Sequence, residues 1–226
     1  MNDARVAQPA EPTVMPVDRD AWFAQLNASN FMNAAAEYRD IQSLPHVRKI
    51  LIVGPGQGLD AAILRWKGYE VSTMDIDEKF SPDHLGSVHD LHMFRDRQFD
   101  VVVASHVLEH LPVRYLDRSL AELARVGRYA LIYLPVAGRH FQWRVKADVK
   151  GLDKTFFVDV FNYFHKPDGE TARYCAGQHY WELGYRGFRV AQLRRRLAQH
   201  FEILNAYRNA DWNPSYNFVV GPKVRP

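Results

Sequence analysis

Five residues, Gly54-Pro-Gly-Gln-Gly58, follow directly on an unbroken apolar run, Lys49-Ile-Leu-Ile-Val53. A strand that ends in glycines before a helix lets the backbone pass close beneath a ligand. The spacing decides which ligand. The dinucleotide fingerprint needs glycines at its first, third and sixth positions, and the sixth here is Leu59. Nor does a Gly-Lys-Ser/Thr follow, which excludes a P-loop. A turn that runs close under a ligand without a phosphate cradle suits a nucleoside carrying an amino-acid tail. Asp75, 21 residues after Gly54 and at the tip of the next strand, is placed to accept both hydroxyls of a ribose.

Ten histidines supply candidate bases near neutral pH. His106 and His110 follow the apolar run FDVVVA and stand nearest the glycine turn in a sheet of this kind. Glu109 is expected on a first helical turn, where the positive dipole end favours a carboxylate. His140, His165 and His179 fall in a later aromatic stretch, and His179, in Gly-Gln-His-Tyr-Trp-Glu, is the favoured substrate contact. The catalytic candidates are therefore His106, His110 and His179. His89-Asp90-Leu91-His92 spaces two imidazoles for neither a helix nor a strand face, and no metal site is expected.

The elements that must hold these groups follow from apolar periodicity. Residues 1–18, with three prolines, read as a flexible tail. Residues 19–45 read as two short helices, with Trp22, Phe23 and Leu26, then Phe31, Met32, Ala35 and Tyr38, on their apolar side and Asn30 capping the second. Strands are expected at 49–53, 70–74, weakly at 87–91, at 99–104 and at 129–134. A helix after the glycine turn buries Leu59, Ala62, Ile63 and Trp66 and stops at Gly68. Another runs along Leu108, Leu111, Tyr115, Leu116, Leu120 and Leu123 to Gly127. Continuous apolar strands alternating with helices mean a parallel sheet buried on both faces. An amphipathic helix through Val190, Leu193, Leu197 and Phe201 precedes strands at 201–206 and 216–220, which should pair antiparallel.

Residues 138–186 break that rhythm with eleven aromatics in 49 positions. Phe156, Phe157, Phe161 and Phe164 suggest a lid helix, while Trp143, Tyr180 and Trp181 are expected to reach a substrate. The expected fold is α/β: a Rossmann-like, doubly wound, mostly parallel seven-stranded sheet with a terminal antiparallel hairpin and an aromatic-rich insertion. Its core is 48–136, its insertion 138–186 and its closing helix and hairpin 187–226, all within one domain over 19–226.

Composition narrows the setting. The chain has 226 residues, 47% of them apolar, and a net charge of +3, which suits one globular domain. The lone Cys175 excludes a disulfide framework and a thiolate zinc site. No apolar run is long enough to span a bilayer, and the first residues lack a signal-peptide core, so a cytoplasmic setting is expected. Residues 1–138 hold 14 basic and 18 acidic residues (−4); residues 139–226 hold 15 and 8 (+7), and −4 and +7 give the total of +3. The basic half points to an anionic partner.

Together, ILIVGPGQG, MDID, HDLH and FDVVVASHVLEHLP resemble the class I S-adenosylmethionine-dependent methyltransferases, and LEHL is similar to the type 11 subgroup. The resemblance spans about 48–136. It implies S-adenosyl-L-methionine as cofactor, with Gly54, Gly56 and Gly58 under its methionine part, Asp75 on the ribose, Ile76 against the adenine, Asp90 and Leu91 at the adenine edge, and Ser105 and His106 beside the methyl donor. Ile52 stands where the family usually carries an acid, which motivates a second reading as a binding module with little or no activity. The first reading is O-methylation of a small-molecule or glycan acceptor bearing negative charge, received by Arg139, Arg144, Lys146 and Arg173. Nucleic-acid methylation ranks last, because Arg194, Arg195 and Arg196 read as a solvated helix face. Oligomeric state is left open.

Overall fold

The computed structural model describes residues 28–148, 151–174, 177–212 and 214–223. The expected tail at 1–18, the apolar positions Trp22, Phe23 and Leu26, Cys175 and Asn213 lie outside these residues. In chain order the helices are α1 (Ala28–Gln42), α2 (Leu59–Trp66), α3 (Leu116–Val126) and α4 (Val190–His200). The strands are β1 (Lys49–Val53), β2 (Glu70–Asp75), β3 (His84–Leu85), β4 (Phe99–Ser105), β5 (Gly127–Pro135), β6 (Arg139–Lys146), β7 (Asp153–Val160), β8 (Phe201–Arg208) and β9 (Ser215–Pro222).

Seven strands form one sheet in the order β3-β2-β1-β4-β5-β9-β8. The first five run parallel, β9 is antiparallel to β5, and β8 is antiparallel to β9. The mostly parallel sheet and its closing hairpin are as the sequence implies. Alternate residues of β1 sort into two apolar layers. Leu51 and Val53 join Leu120 and Leu123 of α3 and Leu193 and Leu197 of α4. Ile50 and Ile52 join Ala36 and Ile41 of α1 and Ala61 and Leu64 of α2. Burial on both faces is why β1, β4 and β5 read as unbroken apolar runs. Strand order reverses between β1 and β4, and their carboxyl ends open the crevice in which such sheets bind ligands.

Several local expectations are corrected. Asn30 lies inside α1 rather than capping it. That helix leaves Phe31 and Met32 exposed and buries Glu37 and Asp40 instead, because Asp40 accepts hydrogen bonds from the hydroxyls of Tyr133 (2.6 Å) and Tyr207 (2.7 Å). On α2 the buried positions are Ala61 and Leu64, while Trp66 is 81% exposed. The third strand is at His84–Leu85; residues 87–90 form a turn closed by the Asp90 amide donating to the Ser87 carbonyl. Glu109 and His110 sit on a separate 3-10 turn, Leu108–His110, with α3 beginning only at Leu116, so no helix dipole supports the carboxylate.

The insertion differs most. Phe156 and Phe157 lie on β7, paired with β6 in a two-stranded antiparallel arm, and not on a lid helix. Phe164 is fully exposed. Beyond the arm the chain folds back on the sheet and buries Trp181 and Leu183 in the larger apolar layer, with the Trp181 indole donating to the Leu111 carbonyl (3.2 Å). No helix among the described residues is long and apolar enough to cross a membrane.

Candidate active site

A cavity of about 730 Å³ opens over the carboxyl ends of β1, β2 and β4, a size usual for small-molecule sites. Gly54, Gly56 and Gly58 form its floor with positive φ of 66°, 50° and 70°. At Gly54 a Cβ would lie 2.6 Å from Val107 Cγ2, so both the backbone conformation and the close approach require glycine there.

Asp75 and Ile76 line the cavity at the end of β2. Asp75 Oδ1 accepts the Asp77 amide (2.9 Å), and burial pushes its carboxyl up from the usual range despite that bond. Ser105 and His106 line it at the end of β4. His106 holds φ at 54°, an uncommon conformation for a residue with a side chain and one that accompanies functional strand ends. Asp90 and Leu91 are not brought to this wall. The Leu91 amide donates to Glu122 Oε2 (2.8 Å) and Asp90 faces His92 and Arg118, so Ser87 and Val88 occupy that part of the lining.

Two lining acids were invisible to pattern reading. Glu37 of α1 is buried, accepts from Asn33 Nδ2 at one oxygen (2.9 Å), and leaves the other without a hydrogen-bond partner. Burial, reinforced by nearby Asp60, raises its carboxyl well above the usual range. Asp60, on the first turn of α2, is pushed up to about 6, chiefly by burial. Both belong to the helices covering the sheet face onto which Ile52 points. Two carboxyls thus stand at the glycine turn although position 52 itself carries none.

The opposite wall gathers the expected bases, His106, His110 and His179, around Glu109. Glu109 is fully buried, and neither carboxylate oxygen has a hydrogen-bond partner. Burial alone would raise its carboxyl; His106, with Nδ1 at 3.5 Å, and then His110 and His179 outweigh burial and hold it below the usual range. The two other histidines have fixed tautomers. His110 Nδ1 donates to the Gln178 carbonyl (3.1 Å), and His179 Nδ1 donates to Glu182 Oε1 (2.6 Å). Each Nε2 is left as the lone-pair nitrogen. Burial also pushes the His110 imidazole below its ordinary value, keeping it neutral at pH 7.

Other expected contacts stand elsewhere. His140 bonds Asp159 and the Val136 carbonyl, and His165 bonds Tyr174. Trp143 is on the exposed arm, Trp181 is in the core, and Tyr180 packs against it. None of these reaches the cavity lining, which among the described residues holds six acids and no lysine or arginine. Arg144 is bound by Asp153 and Asp211, Arg173 faces Asp168, and Arg139 and Lys146 lie on β6. The basic half is thus spent on its own acids and surface, not on this wall.

Residues 51–129 match the methyltransferase domain family. The fold is shared with solved structures across nearly the whole chain: Streptomyces venezuelae DesVI (14% identity, 92% of this chain and 100% of that one, TM-score 0.57) and an S-adenosylmethionine-dependent methyltransferase of Archaeoglobus fulgidus (15%, 86% and 94%, 0.55). A third is the 1,6-didemethyltoxoflavin-N1-methyltransferase of Burkholderia thailandensis, solved with 1,6-didemethyltoxoflavin and S-adenosylhomocysteine (15%, 95% and 94%, 0.50). No curated protein matches in sequence. Over residues 51–129 the chain is thus similar to the methyltransferase domain family, and its fold is that of solved S-adenosylmethionine-dependent methyltransferases, a likeness that points to S-adenosyl-L-methionine as cofactor.

The lining fits that cofactor. The glycine turn gives backbone access, Asp75 offers oxygens at the strand tip, and the orphaned buried oxygen of Glu37 with Asp60 provides a place for an ammonium.

Proposed function

We propose that the chain methylates a hydroxyl of an uncharged, polyhydroxylated small molecule, such as a sugar-like ring, which enters between the glycine turn and the His106–His110–His179 wall. The bound cofactor supplies an electrophilic methyl group. The chain's own part is to align the acceptor and take its proton, which accounts for much of the rate gain in an in-line displacement. One observation carries this reading: two imidazoles on one cavity wall have their Nδ1 protons committed and their Nε2 lone pairs free, while no cationic side chain shares the lining. Such a wall receives a hydroxyl proton at neutral pH and offers nothing to a phosphate. An anionic acceptor, the expectation from charge, loses the support of its arginines.

Gly54, Gly56 and Gly58 would carry the methionine part of the cofactor, Asp75 the ribose hydroxyls, Ile76 and Val88 the adenine faces, and Glu37 with Asp60 the amino group. Ser105 would hold Asn33, whose amide donates to it (2.7 Å), against the same end. This substitutes for the acid that Ile52 lacks and favours an active enzyme over an inert binding module. A nucleic-acid acceptor has no support at the cavity: Arg196 is paired with Asp117, and Arg194 and Arg195 lie outside the lining. A single domain over 19–226 and a cytoplasmic setting belong to the same proposal.

The test measures S-adenosylhomocysteine release over a panel of neutral, anionic and amine-bearing hydroxylated rings. Turnover on neutral members, lowered at least tenfold in kcat by His179→Ala with cofactor affinity kept, supports the reading. Turnover confined to phosphorylated members overturns it.

A further inference from the structure

The wall opposite the glycine turn has a second chemical character. Glu109, His110 and His179 each offer one possible donor atom, and these atoms all lie within 4.8 Å of one another. We propose that the three residues form a binding site for a divalent first-row transition-metal ion on the acceptor side of the cavity.

Three observations carry it. Glu109 is wholly buried with both oxygens unpartnered, and a buried carboxylate in that condition is costly unless a cation meets it. Nδ1 of His106 lies 3.5 Å from Glu109 Oε1, longer than a normal hydrogen bond. Next, both imidazoles carry the outer contacts typical of metal ligands. The backbone carbonyl of Gln178 and the carboxylate of Glu182 each accept an Nδ1 proton, fixing the ring and raising the donor strength of Nε2. Finally, the cluster lines an open cavity, so an ion there keeps free positions for an exogenous ligand.

The donor set names the metal class. Two imidazole nitrogens and one carboxylate suit zinc, iron, cobalt, nickel or manganese better than magnesium or calcium, which prefer oxygen cages. An ion held about 2.1 Å from each donor in tetrahedral geometry draws the donors to about 3.4 Å apart, so they close by at most about 1.4 Å on loading. The ligands come from the 3-10 turn after β4 and from the fold-back beyond the arm, so the ion would tie the insertion to the sheet. If the hydroxyl-acceptor reading holds, the ion would bind the acceptor oxygen and lower its pKa, leaving His106 as the remaining imidazole to take the proton. Metal binding itself does not depend on that reading.

The test titrates the chelator-stripped full chain with Co²⁺ alone, read by its visible d–d absorption, and then displaces Co²⁺ with Zn²⁺. One ion per chain is expected, with affinity weakened at least tenfold by His179→Ala and by Glu109→Gln, and unchanged by His140→Ala. Should Glu109→Gln fail to fold, His179→Gln on the fold-back serves instead, with S-adenosylhomocysteine affinity by calorimetry as the check of integrity. Absence of stoichiometric Co²⁺ binding, or undiminished binding in both His179 variants, overturns the proposal. Binding of S-adenosylhomocysteine without metal sinks the metal site alone; binding of metal without S-adenosylhomocysteine sinks the methyl-transfer reading alone.

Discussion

The glycine-turn wall and the aromatic insertion face each other across one cavity, yet they are built on opposite principles. The first is held by parallel strands buried on both faces, so each strand end is fixed by its register in the sheet, as Val53 is beside Met74 and Ala104. The second is two structures in one. Its arm, β6 and β7, leaves Phe141, Trp143, Val145, Phe156, Val158 and Val160 about half exposed, and the fold-back sinks Trp181 and Leu183 into the core while delivering His179 to the site. Aromatic content therefore does not tell which part of an insertion is structural; contact with the sheet does.

Substitutions can break that contrast. The largest effect is expected at Trp181→Ala, which empties a 1%-exposed site in the larger core layer: unfolding by denaturant should show a loss of about 3–5 kcal/mol. Retained stability would mean that the fold-back is not anchored as described. Gly54→Ala comes next, since φ of 66° and a 2.6 Å approach to Val107 Cγ2 oppose any side chain. Its S-adenosylhomocysteine affinity should fall by about one to two orders of magnitude, from strain of roughly 1–2 kcal/mol plus the clash. Asp75→Ala should cost at least tenfold in the same calorimetric measurement, and an unchanged affinity would remove the ribose assignment.

A pH effect separates the two walls. The carboxyls of Glu37 and Asp60 are raised in the folded state, so the stability they contribute is full below the unfolded carboxylate pKa and is lost as pH rises through the folded value, about 6 for Asp60. A ligand ammonium that favours the ionised forms reverses this. Cofactor affinity should therefore rise between pH 5 and 7 and flatten in Glu37→Gln/Asp60→Asn, as followed by calorimetry across that range. The smallest effect is expected at Trp143→Ser on the arm. With its indole 56% exposed, the change in unfolding free energy should stay within about 0.5 kcal/mol, and a loss approaching that of Trp181→Ala would erase the distinction between arm and fold-back.

What was legible follows the same division. ILIVGPGQG and FDVVVASHVLEHLP show β1, β4 and the turn between β1 and α2 because continuous apolar runs and glycines act locally. Asp75, Ser105 and His106 then fall at strand ends by counting. Asp90 and Leu91 stand outside the cavity lining because the third strand is only His84–Leu85, which moves the wall to Ser87 and Val88. Glu37 was missed since a helix that buries acids breaks the apolar period used to orient it. The phenylalanine spacing at 156–164 suggested a helix, but cross-strand pairing such as Trp143 with Phe156 won.

The sequence by itself determined the parallel sheet, the closing hairpin and the glycine turn, because each rests on residue types at fixed local spacing. Only the tertiary structure decided that Glu37 and Asp60 stand by the turn where Ile52 offers no charge. It alone brought His179 from 69 residues away to His110, with 4.6 Å between ring centres, and left Glu109 buried among imidazoles. Those are contacts between segments far apart in the chain, and burial, which sets the charge state of every group in the site, exists only once the layers have closed.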